Sequence, residues 1–309
     1  MKTFVVSPVS YSSPGFVSFI NVVFLKCVSS SNGGAIYLGH SSFSMSVEKC
    51  LFTQCGTSQY GGAMCIQYAY SINVIETCFS RCYSNSCNAF IIWGNDCFVG
   101  SAQMNYTDDY SPSVQLHSSC FLANNIIFCY NNITKSTTHY CGGGLFFGNK
   151  FDTECIKYSQ ISHTYSSSFI GFAMVANALS PCIESFNFLN NTLVTQAPAP
   201  GWVELHKYAC YPAFVSCVFH GNTKTRLYYA INTGSGYATF NQCKFDREYE
   251  SSFAAVAPES SNTFNVRDSI INIDLYNTLQ CWLNESIGTK NSQHQHISLI
   301  FFVFPLYSA

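Results

Sequence analysis

Charge is the scarcest commodity in this chain. Only 10% of its 309 residues are Asp, Glu, Lys or Arg, where soluble domains carry about 25%. The formal net charge is -2, so there is no basic footprint for a phosphate backbone, and nucleic acid is excluded as a partner. No run of like charges forms an interaction tail. Zinc-ligand spacing is missing too: the close cysteine pairs are Cys50/Cys55, Cys78/Cys82 and Cys82/Cys87, and none is a CxxC. No nucleophile elbow, phosphate loop or dinucleotide fingerprint occurs. Gly142, Gly143 and Gly144 lead into an apolar strand-like run, which lacks the helix N-terminus a phosphate cradle needs. These absences leave no cofactor and no metal to expect. Long apolar stripes at i, i+3, i+4 are also lacking, so helix content should be small.

What is present is apolar and aromatic: 48% and 16% of the residues, enough for a large core. Abundant Ser, Asn, Thr and Tyr provide an uncharged polar surface. Seventeen cysteines fit an oxidising compartment with some disulfides. They fit equally a set of small buried residues stacked in ladders. The odd count leaves at least one thiol unpaired within the chain.

A repeat organises these residues. Phe24 and Cys27, then Gly33-Gly34-Ala35-Ile36, then Cys50 recur as Phe52 and Cys55, Gly61-Gly62-Ala63-Met64, and Cys78, each landmark moved by 28 residues. Phe79 and Cys82 open a third copy. Phe121/Asn124, Phe128/Asn131, Phe188/Asn191 and Phe219/Asn222 continue it as Phe-x-x-Asn. Ser/Thr/Tyr/Pro-rich windows near 100–120, 148–170 and 192–200 read as insertions.

One such unit cannot bury its apolar face alone; stacking does that. The expected fold is therefore all-β: a right-handed parallel β-helix, a pectate-lyase-like solenoid of about ten rungs of roughly 27 residues. Equivalent residues would lie about 4.8 Å apart along the axis. Phe24, Phe52 and Phe79 would make an inward stack. Cys27, Cys55 and Cys82, continued by Asn124, Asn131, Asn191 and Asn222, would make a corner ladder. Gly33, Gly34, Gly61 and Gly62 would allow a sharp turn and close backbone approach. The domain reading is an N-terminal segment or cap over 1–19, the coil over 20–283, and a linker with an apolar tail over 284–309.

The motifs resemble the repeat of the chlamydial polymorphic outer membrane proteins, Phe-x-x-Asn and Gly-Gly-Ala-Ile. The first is matched at Phe121–Asn124, Phe128–Asn131, Phe188–Asn191 and Phe219–Asn222, the second by Gly33-Gly34-Ala35-Ile36 and nearly by Gly61-Gly62-Ala63-Met64. The Cys-rich, Tyr-rich, weakly charged variant is most similar to the polymorphic-type surface proteins of trichomonad parasites. The resemblance covers roughly residues 20–280 and implies a β-helical, surface-exposed protein with a role in adhesion. The first three copies depart from it by carrying Cys where the family prefers Asn.

Because β-helices also carry polysaccharide lyases and hydrolases, paired carboxylates are the candidates for chemistry. Glu48 and Glu76, 28 apart, would share one face at roughly 5 Å, near a retaining-glycosidase separation. Lys49 beside them favours a plain solvated pair. Asp108 and Asp109 read as an exposed turn, and His294 and His296 do not reach metal-site density. Asn105, Asn132, Asn190 and Asn284 stand in glycosylation sequons, with Asn105 placed in a loop. The apolar start breaks at Ser7-Pro8, short of a signal peptide. Ile297–Tyr307 reads as a last strand, or as a short membrane-associating tail interrupted by Pro305.

The leading functional expectation is a non-enzymatic cell-surface or secreted protein, an adhesin or surface antigen binding a host or matrix protein or glycan. A carbohydrate-active β-helix enzyme is the alternative, and a self-associating structural coat component the next.

Overall fold

The computed structural model describes residues 3–246 apart from 13–14, 40–42, 101–102, 106–119, 139–144, 151–155, 167–171, 177–181, 194–202, 207–212, 224–227 and 232–238. Asp108, Asp109, Gly142–Gly144, Asn284, His294, His296 and the tail Ile297–Tyr307 lie outside the described residues. Every regular element described is a β-strand and none is a helix. The strands pair in parallel with their counterparts one turn away and stack as a β-solenoid. Parallel pairing needs a crossover between partners, and here each turn of the coil is that crossover.

Three faces make a turn. One face is a sheet of ten strands, running from Thr3–Val5 through Val22–Leu25, Leu51–Thr53 and Cys78–Ser80 to Lys244–Phe245. The long face is a 15-stranded sheet that includes Phe43–Glu48, Met64–Ile75 and Phe90–Gly100. The short face closes the turn with Val28–Ser29 and Gly56–Thr57 in one small sheet, and Thr137–Thr138, Tyr165–Ser166 and Thr192–Leu193 in another. Short-face strands are described in five turns, so about five turns of the solenoid close on all three faces. The expected count of about ten rungs is not supported, because landmark spacing alone does not say which turns close on every face.

The coil begins earlier than residue 20. Thr3–Val5, Val9–Tyr11 and Gly15–Ile20, within the N-terminal segment 1–19, already pair with the next turn. They were missed because Val5 takes the place of the marker Phe. The window 148–170 is likewise no insertion: Ile156–Lys157, Gln160–Ser162 and Tyr165–Ser166 are ordinary strands of the coil.

Inward rows form the core. Phe24 and Phe52 stack with ring centroids 4.6 Å apart and 2° from parallel; Phe52 and Phe79 follow at 5.0 Å and 7°. In backbone register with them follow Met104, Ile133, Ile161, Phe188 and Phe219, the last two stacked at 4.7 Å. Each buried Phe contributes about 1.5–3 kcal/mol relative to exposure. Phe128 is not in this row. It belongs to a second row on the long face, Phe19, Val47, Val74, Val99, Phe128, Ile156, Ile183, Phe214 and Phe240. Phe121 pairs in backbone register with Ile92 and Phe146.

Two corners flank the ten-stranded face, and both obey one local rule. An inward apolar residue is followed by an outward one, then by a residue in the left-handed conformation, then by a buried residue that is usually small. Phe24 to Cys27 follows it at one corner, with Lys26 at φ 53°, and Val47 to Cys50 follows it at the other, with Lys49 at φ 52°. The left-handed residue keeps the parallel ladder intact around the bend: Lys26 N–H donates to Thr53 O at 2.9 Å, and Lys49 N–H to Ile75 O at 3.0 Å. Those bonds offset a conformation that costs a non-glycine residue about 1–2 kcal/mol.

Candidate functional site

The residue types that most often carry chemistry are concentrated at these corners. At the first, Cys27 Sγ donates to Val5 O, Cys55 Sγ to Phe24 O and Cys82 Sγ to Phe52 O, at 3.4, 3.5 and 3.7 Å. Asn191 Nδ2 and Asn222 Nδ2 make the same bond to Ile161 O and Phe188 O, at 3.0 and 2.9 Å. At the second corner Cys50, Asn131, Cys217 and Cys243 donate to Phe19 O, Val99 O, Ile183 O and Phe214 O. Cys and Asn thus do one job: each satisfies a buried carbonyl of the preceding turn. Thiol and amide differ in strength but offer a donor in the same place.

Asn131 therefore stands at the corner opposite Asn191 and Asn222, correcting the single ladder expected from the sequence. Phe-x-x-Asn is a rule for a corner and not a marker of one rung, and both corners obey it. Asn124 lies within the strand Cys120–Cys129 and not at a corner. Cys50 does not stack on Cys78, since Cys78 pairs with Leu51.

Buried thiols are poor nucleophiles. Burial pushes Cys50 up to about 11 and Cys65, beside Cys87, up to about 12; burial also holds Cys55 and Cys217 well above the ordinary thiol value. Since the thiolate is the reactive form, these four lack the depressed pKa of a catalytic cysteine; the Cys243 thiol, lowered by its hydrogen bond with Cys217, is itself buried. Ten buried cysteines among the described residues are thiols. Cys78 is disulfide-bonded, and it sits with Val23 and Leu51 in a small cluster apart from the main core.

The carboxylate pair has a different geometry from the one its spacing implies. Glu48 pairs across turns with Ile75, so Glu76, left-handed at φ 48°, falls level with Lys49 and not with Glu48. The step between these turns is one residue shorter than the step before it. Lys49 Nζ then lies 3.2 Å from Glu48 and 3.7 Å from Glu76. Glu48 first, and Glu76 with it, hold the Lys49 ammonium above its usual range. The group is a solvated salt bridge. No cluster of three His, Cys, Asp or Glu side chains suited to a metal occurs among the described residues.

Sequon residues occupy several settings. Asn105 ends the strand Gln103–Asn105, which corrects its placement in a loop. Asn132 opens the strand Asn132–Thr134 and accepts from Gln160 Nε2 at 3.4 Å. Asn190 is exposed at a corner, with φ 52°.

The sequence reading missed a feature of the long face. The strands Met64–Ile75 and Phe90–Gly100 run in register at Ile66 with Ile92 and again at Ala69 with Gly94. Two residues, Gln67 and Tyr68, therefore oppose the single Trp93. This is a β-bulge, and Tyr68 within it has φ 62°. Every other left-handed non-glycine described stands at a corner. Trp93 lies 6.4 Å from the ring of Tyr60, and Tyr37 Oη donates to Gln67 Oε1 at 3.3 Å. The only sequence signal was three aromatics, Tyr60, Tyr68 and Trp93, at unequal positions of successive repeats, which no periodicity search would align.

No family model matches the chain, and no curated protein does. Its chemistry must be argued from its own residues. The described residues contain no helix long and apolar enough to cross a membrane.

Proposed function

We propose that this chain is a non-enzymatic cell-surface or secreted binding protein, an adhesin or surface antigen, built as a right-handed parallel β-helix with turns of roughly 27 residues. One observation carries the reading. The cysteines and asparagines that resemble chemistry are committed to bonding the carbonyls of the turn below, as Cys55 does with Phe24 and Asn222 with Phe188. What the coil presents outward is a rigid sheet face bearing aromatic rings, the kind of surface that serves recognition. The disulfide at Cys78 supports an oxidising compartment. The likeness to the polymorphic outer membrane protein repeat supports surface display, and a host or matrix protein or glycan is the partner class it implies.

The test has two arms. Labelled chain is applied to host cells and extracellular matrix, where saturable binding is expected. The same protein is assayed for cleavage of pectin, alginate and host glycans. Cleavage that Glu76→Gln abolishes would replace this reading with a polysaccharide-degrading enzyme.

A further inference from the structure

We propose that the aromatic cluster on the long face, formed by Tyr37, Tyr60, Gln67, Tyr68 and Trp93, is a binding site for an uncharged glycan. The proposal rests on the binding-protein reading and gives it a ligand class and an address.

The site is built by three successive turns. Trp93 packs with Tyr37 against the buried Cys65, Cys87 and Ile91, a cluster apart from the main core, which fixes its ring on a rigid sheet. Tyr60 approaches it tilted by 54° and stays 45% exposed. Opposite Trp93 the bulge adds a residue that the strand does not need for pairing. The extra residue is Tyr68, 64% exposed and held left-handed at φ 62°. A bulky side chain rarely adopts that conformation, and bulges commonly re-aim a side chain beside a functional site. The core gains nothing from a tyrosine that points into solvent. Tyr70 continues the aromatic row two residues on, 62% exposed. Gln67, bonded to Tyr37, sets an amide among the rings.

Ring faces interleaved with amides and hydroxyls match a sugar. The C–H face of a pyranose stacks on an aromatic ring, and its hydroxyls exchange hydrogen bonds with Gln and Tyr at the edge. Charge narrows the class. The segments that carry these rings, 50–75 and 82–95, contain no Asp, Glu, Lys or Arg, and the one charge on the strands Met64–Ile75 and Phe90–Gly100 is the exposed Asp96, level with Ser71. An acidic polysaccharide would meet no cation on these strands and would approach the carboxylate of Asp96. A neutral chain several sugars long would cross the rings without desolvating a charge.

The probes are neutral hexasaccharides of glucose, mannose, galactose and N-acetylglucosamine, titrated into the full chain by calorimetry and tryptophan fluorescence, with hexagalacturonate as the acidic comparison. At least one neutral probe is expected to bind and shift tryptophan emission, and hexagalacturonate is not. Trp93→Ala, Tyr60→Ala and Tyr68→Gly are each expected to weaken binding by roughly threefold to tenfold. Tyr68→Gly keeps the left-handed backbone and removes only the ring. Tyr60→Ala changes an exposed side chain, so it remains informative if Trp93→Ala does not fold. The site is refuted if no neutral probe binds at millimolar concentration, if hexagalacturonate alone binds, or if binding survives Tyr60→Ala and Tyr68→Gly unchanged. Undiminished adherence of these variants to cells would sink the glycan site and leave the binding-protein reading standing. Loss of all adherence by wild type would sink the latter.

Discussion

Asn191 and Asn222 stand one turn apart at the same corner, and the Oδ1 of Asn222 accepts from both the backbone N–H and the Nδ2 of Asn191, at 3.1 and 3.0 Å. Asn191 in turn accepts from Thr164 N–H and Oγ1, each at 3.0 Å, and donates to Ile161 O. A fully buried amide is thereby satisfied by the turns on either side of it, and the bonds run along the axis of the coil.

Asn191→Ala should lower unfolding stability by about 2–4 kcal/mol, because it leaves Thr164 N–H and Ile161 O buried without partners. Urea denaturation of the variant checks this. Asn190→Ala, next along the chain but exposed, should cost far less; equal losses would mean that the corner ladder contributes little.

Gly34 and Gly62 allow successive turns to approach. A Cβ on Gly34 would lie 1.9 Å from Gly62 O, and one on Gly62 would lie 2.1 Å from Asn88 O. Backbone cannot yield as a side-chain end can, so Gly34→Ala and Gly62→Ala should each cost more than about 3 kcal/mol. Gly94→Ala meets Ala69 O at 2.9 Å and should be milder. Thermal melting of the three variants gives the order.

Stability should fall in alkali. Burial raises the folded-state pKa of Cys50 to about 11 and of Cys65 to about 12, while the unfolded thiols titrate near 9.0. Between those values the folded state holds protons that the unfolded state has lost, so unfolding becomes easier as pH rises. The contribution is complete below about pH 8 and is lost from there to about pH 12. Denaturation midpoints measured across that range should decline, and the decline should be shallower in Cys65→Ala. A thiol probe added at pH 8 should label these residues only after unfolding.

Lys49→Ala, which removes the bridge between Glu48 and Glu76, should change stability by less than about 1 kcal/mol, as exposed ion pairs contribute little. Denaturation at low and high salt reads this directly. A much larger loss would mean that the carboxylate pair is held against repulsion for a purpose, and would favour the enzymatic alternative.

The repeat made the solenoid legible. Phe24, Phe52 and Phe79 at near-constant spacing, with paired glycines between them, admit few architectures other than stacked turns. The same residues explain where the reading slipped. Phe128 to Asn131 has the sequence of a marker but occupies the other corner, because left-handed bends with an inward residue before them and a buried donor after them look alike in one dimension. Turns marked by Met104, Ile133 and Ile161 carry no Phe and were passed over.

By itself, then, the sequence determined that the chain is all-β, that its turns stack, and that its surface is nearly without charge. Only the tertiary structure decided phase. Whether Glu76 lies level with Glu48 or with Lys49 depends on a single residue in the length of a turn, and a slip of one reverses the face to which every side chain points. The same holds for Tyr68. Its exposure comes from a bulge that appears only when Ile66 and Ala69 find their partners Ile92 and Gly94, a relation between strands that no single strand encodes.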